Sequence, residues 1–172
     1  GRYFNTEFVL KKINVKEYRE DPNIDIFYER GSKYFEFFSN KTPIGFFRLR
    51  YKNGVVNHGN AFVYENQRGK GWGNKILFVS LIPIKEIFSD PKIVYLQIHK
   101  HGEQNIYIND KLFGIENRYT ETVEPNRFGF KENLTIPEYL YYDTIDSLLD
   151  RNKKKIDELE VILIKNKIED EN

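Results

Sequence analysis

The stretch Val63-Tyr64-Glu65-Asn66-Gln67-Arg68-Gly69-Lys70-Gly71-Trp72-Gly73-Asn74 carries the pattern on which the fold turns. Strand-forming residues lead into it. From Asn74 to Phe88, Ile76, Leu77, Leu81, Ile84, Ile87 and Phe88 recur at helical spacing. A strand, a glycine-containing loop and a helix therefore follow one another without a gap. Glycine lets the backbone take positive φ and lets another molecule approach closely. Free N–H groups at a helix start, with the helix dipole behind them, form an anion site. Arg68, Lys70 and Lys75 add positive charge, and a pyrophosphate is the natural occupant. Two common phosphate loops do not fit. No Gly-x-x-x-x-Gly-Lys-Ser/Thr string occurs, and Gly69, Gly71 and Gly73 recur every second residue, which is not Gly-x-Gly-x-x-Gly.

Upstream, the pattern predicts a strand over Tyr3–Ile13 and a short helix over Val15–Glu20 that ends at Asp21-Pro22. Three strands follow, Lys33–Phe38, Ile44–Tyr51 and Val55–Tyr64. Asn40-Lys41-Thr42 turns the first pair and Lys52-Asn53-Gly54 the second, Asn-Gly being a strong hairpin signal. Downstream, Pro83 interrupts the helix, Ser89-Asp90-Pro91 is a turn, and Lys92–His99 reads as a buried strand. A helix over Glu103–Leu112 and strands over Gly114–Val123 and Arg127–Lys131 complete the expected order.

From Asp143 onward there is no Gly or Pro, and Ile145, Leu149, Asn152, Ile156, Leu159 and Leu163 follow a 4-3-4-3-4 spacing. This predicts an amphipathic helix, either packed on its own domain or paired as a dimer coiled coil through 145–163. Val161-Ile162-Leu163-Ile164 keeps a final strand open as a third option.

The 172 residues suffice for one domain with its own core. With 40% hydrophobic and 31% charged residues, neither disorder nor a membrane protein is indicated. Apolar runs such as Ile76-Leu77-Phe78-Val79 fall far short of the ~20 residues that cross a bilayer. The start Gly-Arg-Tyr-Phe-Asn-Thr lacks the layout of a secretory signal, and Gly1 in a chain without methionine suggests a trimmed or processed start. The absence of cysteine excludes disulfides, thiolate nucleophiles and cysteine zinc sites, and it fits a cytoplasmic location. A net charge of +1, from 27 basic and 26 acidic side chains, provides no global field for nucleic acid or acidic lipid. Fourteen Phe and twelve Tyr suit a sheet-rich core.

Arg68, Gly71 and Gly73 stand at the three defining positions of Arg/Gln-x-x-Gly-x-Gly/Ala, and here the chain resembles the GCN5-related N-acetyltransferases. Val63 is in register with the strand that precedes the loop in that family, with Glu65 in place of its proline. The element order over Tyr3–Lys131 is similar too. The resemblance implies an α+β fold with a mostly antiparallel twisted central sheet flanked by helices, to which the tail adds a C-terminal amphipathic helix. It divides the chain into an acyl-CoA-binding domain, 1–135, and a helical extension for packing or dimerisation, 136–172. The implied co-substrate is acetyl-CoA or another acyl-CoA, with no metal. Its pyrophosphate would lie on the backbone N–H groups of Arg68, Gly69, Lys70, Gly71, Trp72 and Gly73. Its pantetheine would lie along the splayed strands containing Phe62–Tyr64, with Val63 at the centre, and Ile93–His99, bonded to main chain as an added strand is. Direct attack by an amine on the thioester requires a base, a donor for the developing oxyanion and an acid for the thiolate.

The chain departs from the family's Asn-x-x-Ala-x-x-x-Tyr-x-Lys-x-Gly-Phe. With Lys111 and Leu112 in register, the Tyr position falls on Asn109 and the Asn position on Gly102. An amide has no proton to give at neutral pH. Tyr107, about 200° around the helix from Asn109, is the candidate acid in a shifted register, a structural ring being its alternative. His58 and Glu65 are the candidate bases. The ordinary pKa of histidine, ~6.5, suits that work, while the bland alternative places His58 partly solvated beside the Asn53-Gly54 hairpin. His99 and His101 flank Lys100 at the end of the later strand and are further alternatives. Three histidines without cysteine or a carboxylate triplet make no metal site. Trp72 either covers the loop or packs.

Three functions stay open. The first is an N-acyltransferase, with the amine on a protein, a small molecule or a nucleic acid. The second is a non-catalytic binding or assembly protein of the same fold that oligomerises through its C-terminal helix. The third is an unrelated sheet domain in which Arg68–Gly73 is an ordinary basic turn.

Overall fold

The computed structural model describes residues 6–13, 32–59, 61–98, 103–119 and 139–165. The expected helix over Val15–Glu20, the strand over Arg127–Lys131, and His99, Lys100, His101 and Gly102 lie outside them. Strands β1 (Phe8–Ile13), β2 (Ser32–Ser39) and β3 (Thr42–Lys52) pair antiparallel in chain order. Asn40 and Lys41 make the first tight turn, with φ 48° and 69°. Asn53 and Gly54, at φ 50° and 84°, make the second, joining β3 to β4 (Val55–His58). Left-handed residues at both central positions match the twist of the strands they join.

The strand expected over Val55–Tyr64 is broken in two. β4 ends at His58, and β5 (Phe62–Val63) pairs only with β3, Gly45 opposite Val63 and Phe46 opposite Phe62. Gly45 permits this approach, because a Cβ there would collide with the Phe62 carbonyl oxygen. On its other side β4 pairs parallel with β6 (Ile93–Ile98), but only from Val55–Ile93 to Asn57–Tyr95. Beyond Tyr95 the described residues put no strand on that side of β6. The sheet therefore splits at its centre.

Two further strands, β7 (Arg118–Tyr119) and β8 (Tyr139–Thr144), continue the sheet beyond β6. β7 pairs with β8, and the pairing with Arg127–Lys131 that the sequence pattern expects lies outside the described residues. β8 pairs with β6 along its whole length, from Ile93–Thr144 to Ile98–Tyr139. At the far edge β9 (Ile162–Ile164) lies parallel to β1, the strand option left open for this run. Among the described residues nine strands form one mostly antiparallel sheet.

The helical run after the loop is divided by Pro83 into α1 (Trp72–Val79) and α2 (Ile82–Ile87), with the proline in the first turn of α2, where its missing N–H is tolerated. With α3 (Glu103–Phe113) and α4 (Ile145–Leu159), they cover one face of the sheet. There Phe35, Phe37, Phe47, Leu49, Val94 and Leu96 meet Ile76, Val79, Ile84, Leu112, Phe113 and Leu148, all buried. Each such side chain contributes about 1.5–3 kcal/mol relative to exposure.

Asp143 belongs to β8, so the last helix starts later than its composition suggests. Thr144 caps it, its Oγ1 accepting the Ser147 N–H at 3.2 Å. Ile145, Leu148 and Asn152 form its buried face, with Leu149, Ile156 and Leu159 partly buried against the same core. The heptad-like seam thus packs within the chain. Asn152, 1% exposed, donates through Nδ2 to the carbonyls of Leu112 and Leu148, both at 2.8 Å. The first of these bonds ties α4 to the end of α3. Asn152→Ala should lower stability by about 1–3 kcal/mol, because a buried carbonyl loses its donor. Denaturant unfolding measures this, and an unchanged midpoint would contradict the assignment.

Candidate functional site

Three features meet where the sheet splits: the end of β5, the loop that follows it, and the inner face of α3. Glu65–Gln67 form one 3-10 turn after β5. Gly69 and Gly71 then reverse the chain with φ 79° and 80°, a conformation that strains any L side chain. Gly71 is the residue before α1, no side chain caps that helix, and its first turn holds no acidic residue. The first N–H groups of α1 are therefore not capped by a side chain. Arg68 fastens the loop to β5, its Nε donating to the Val63 carbonyl at 3.0 Å and its guanidinium lying 5.1 Å from the centre of the Phe62 ring. Lys75 sits 5.1 Å from the Trp72 ring centre and 5.5 Å from that of Phe8.

A cleft of about 780 Å³ opens onto this loop. Val63, Arg68, Gly69, Gly71, Trp72 and Gly73 line it, and Tyr107 does so from α3. Phe62, Lys70, His58 and Glu65 do not. Phe62 turns to the other face of the sheet against Phe46 and Tyr64, at 5.2 and 6.0 Å between ring centres. Lys70 is exposed, 3.5 Å from the Gln67 side-chain oxygen, and Glu65 is exposed on the turn. The Trp72 ring packs edge-on against Phe8 and Phe37 while still forming part of the wall.

His58 stands in the core and not beside solvent. It is 2% exposed, lies near-parallel to Phe47, and is held by burial at a pKa of about 4. Its Nδ1 is 2.5 Å from the Gly59 carbonyl oxygen and its Nε2 is 2.7 Å from Oγ of Ser80, whose hydroxyl donates to the Leu77 carbonyl at 2.6 Å. It thus ties the break between β4 and β5 to the end of α1. Tyr107 is the opposite case, 59% exposed. Lys111, one turn further on, hydrogen-bonds its phenol and adds positive charge, which lowers the pKa from the ordinary tyrosine value.

The wall also contains residues that the motif did not flag. Asn109 is buried, donates through Nδ2 to the Asn105 carbonyl at 2.8 Å, and has an Oδ1 without a hydrogen-bond partner. The same lack holds for Asn74 Oδ1 and Trp72 Nε1, both buried in the same wall. The signal in the sequence was a polar residue on the apolar face that Leu112 and Phe113 share. Cβ atoms built on Gly69 and Gly71 meet nothing within 4 Å, so the loop is an open cradle. Open space beside an uncapped helix start, with Arg68 in the wall, fits a phosphorylated ligand.

Burial of His58 has a pH signature. The folded state binds fewer protons than the unfolded one between about pH 4 and the ordinary 6.5, so stability is full above 6.5 and falls as pH drops toward 4. The loss should be about 3 kcal/mol over that window. Denaturant unfolding at several pH values should show His58→Gln lacking this part of the acid sensitivity. Equal slopes in both proteins would contradict it.

No family model and no curated protein sequence matches the chain. Solved structures do. A mutant spermidine/spermine N-acetyltransferase from Vibrio cholerae superposes with a TM-score of 0.60 at 12% identity, over 84% of this chain and 98% of that one. A chimera of Vibrio cholerae spermidine N-acetyltransferase gives 0.57 at 11% identity, over 84% and 99%. A Bacillus subtilis acetyltransferase in complex with CoA gives 0.52 at 14%, over 81% and 98%. The split sheet, the glycine loop and the helix that follows it are thus parts of one known architecture, and this chain has the fold of the GCN5-related N-acetyltransferases.

Proposed function

We propose that the chain is an acyl-CoA-dependent N-acyltransferase, most simply an acetyltransferase, acting on an amine. The observation that carries this is the left-handed Gly69–Gly71 turn, which aims the uncapped start of α1 into the cleft between the split strands. Acyl-CoA supplies the acyl group as an activated thioester. The backbone N–H groups from Arg68 to Gly73, with Arg68 and Lys70 nearby, hold the pyrophosphate. The main chain at the end of β5 and of β6 beyond Tyr95 is placed to bond the pantetheine arm between them. Tyr107 is the acid, its hydroxyl giving a proton to the departing sulfur, and the neighbouring Lys111 makes it a stronger donor. The described wall of the cleft holds no carboxylate or imidazole, so the proton of the acceptor is not assigned to His58 or Glu65. Spermidine and spermine are the first acceptors to try, because two of the fold's relatives are named for them.

A second reading is favoured by one residue. Asn109 has no proton to give, and if Tyr107 does not act either, the chain is an acyl-CoA-binding protein without turnover. Calorimetric titration with acetyl-CoA, against ATP as control, tests the shared part. Turnover with a panel of amines then separates the two readings.

Gly71→Asp should reduce CoA affinity by more than about 100-fold, because a carboxylate would face the pyrophosphate across a few ångströms. Its own left-handed strain is only about 1–2 kcal/mol, so the fold should persist. Affinity equal to wild type would remove the loop from the site. If the chain turns over, Tyr107→Phe should lower kcat by about 10²–10⁴-fold with little change in KM. Wild-type kcat in that variant would remove Tyr107 as the acid.

A further inference from the structure

The sheet ends at β9, and that edge is unguarded. Among the described residues β9 pairs only with β1, in parallel, from Val9–Ile162 to Lys11–Ile164. Its other side presents backbone N–H and C=O groups, a template for another strand. Native edges are commonly blocked by a proline, a bulge or a charge within the strand. The run Val161-Ile162-Leu163-Ile164 has none of these. Leu163 packs toward the core, whereas Ile162 and Ile164 stand on the opposite face, 50% and 43% exposed. Exposed apolar residues scattered singly need no explanation, but two neighbours on one face of an open edge form a patch.

The charges at the two ends of the strand select its partner. Glu158 and Glu160, both exposed, stand where α4 ends and β9 begins. Lys165 stands at the other end, its side chain 46% exposed although it reaches Glu86 at 3.3 Å. A second copy running antiparallel brings the basic end of each strand to the acidic end of the other, whereas a parallel copy sets like charges together. Centred on Leu163, the antiparallel pair also sets Ile162 of each copy opposite Ile164 of the other, on one face. We infer that β9 is a self-association edge, through which two copies of this chain join their sheets antiparallel about a two-fold axis. The edge lies across β1, β2 and β3 from the split, so the inference does not depend on the acyl-CoA reading. Because the strand is short, the dimer is weak and forms as concentration rises.

Sedimentation velocity of the full chain from about 10 µM to about 1 mM tests it. Wild type should pass from monomer to dimer over that range. Ile162→Lys with Ile164→Lys should weaken the dimer by about 100-fold or more, because like charges then oppose each other across the edge. Both side chains are exposed, so the thermal unfolding midpoint should match wild type. Glu160→Lys and Lys165→Glu should each weaken association at low salt by about five-fold, and together should restore it. These two keep the apolar edge, so they report on strand direction without the lysine variant. A wild type that stays monomeric throughout would overturn the inference. So would a dimer that survives the lysine substitutions, since another surface would then carry it. Charge reversals that fail to restore association together would also overturn it, since the strands would then not run antiparallel.

Discussion

Beyond Asn57 and Tyr95 the parallel strands β4 and β6 stop pairing, and the rest of the molecule is arranged around that split. A sheet interior does not leave backbone N–H and C=O groups unbonded without compensation. Here β5 finds its partner on β3, which it can approach only because Gly45 has no side chain. β6 is supported from the other side by the full length of β8. His58 pins the break itself, bonding the Gly59 carbonyl on one side and Ser80 at the end of α1 on the other. The opening is therefore braced by well-packed elements on both sides.

Charge and polarity are distributed locally. A net charge of +1 draws no polyanion from a distance. The attraction for an anion is concentrated at the first turn of α1, with Arg68, Lys70 and Lys75 around it. The opposite wall on α3 is neutral and amide-rich. α3 is fixed in turn by Asp110, which accepts hydrogen bonds from Tyr141 at 2.7 Å and from Arg118 at 3.0 Å. Burial, together with that carboxylate, raises the pKa of Tyr141 and keeps it a donor. Asn109, the next residue back, is thus presented from a helix that cannot easily rotate.

Asn109 and Asn152 are two polar residues on apolar helix faces with opposite outcomes. Asn152 bonds the carbonyls of Leu112 and Leu148 through its amide nitrogen and completes the contact between α3 and α4. Asn109 bonds only the Asn105 carbonyl, and its oxygen is buried without a partner. In a sequence the two look alike, since each is a single amide in an amphipathic helix. Only the neighbouring elements distinguish a polar residue that ties two helices together from one that does not.

Local and periodic features were legible in the sequence. The spacing of Gly69, Gly71 and Gly73 between a strand and a helix marked the anion loop, Asn53-Gly54 marked a hairpin, and Pro83 marked the division of α1 from α2. Each follows from the backbone geometry of a few adjacent residues. What depended on distant partners was decided by the tertiary structure. β5 leaves the line of β4 because Gly45, some 17 positions earlier, lets it. Arg118–Tyr119 pairs with Tyr139–Thr144 because β6 offers its free edge to β8. His58 became a neutral core residue because α1 folds over it and removes water from its ring. The sequence by itself thus determined the loop and the order of its flanking elements, because φ preference and periodicity are local. The shape of the cleft, and which side chains line it, came only with the packing of strands and helices far apart in the chain.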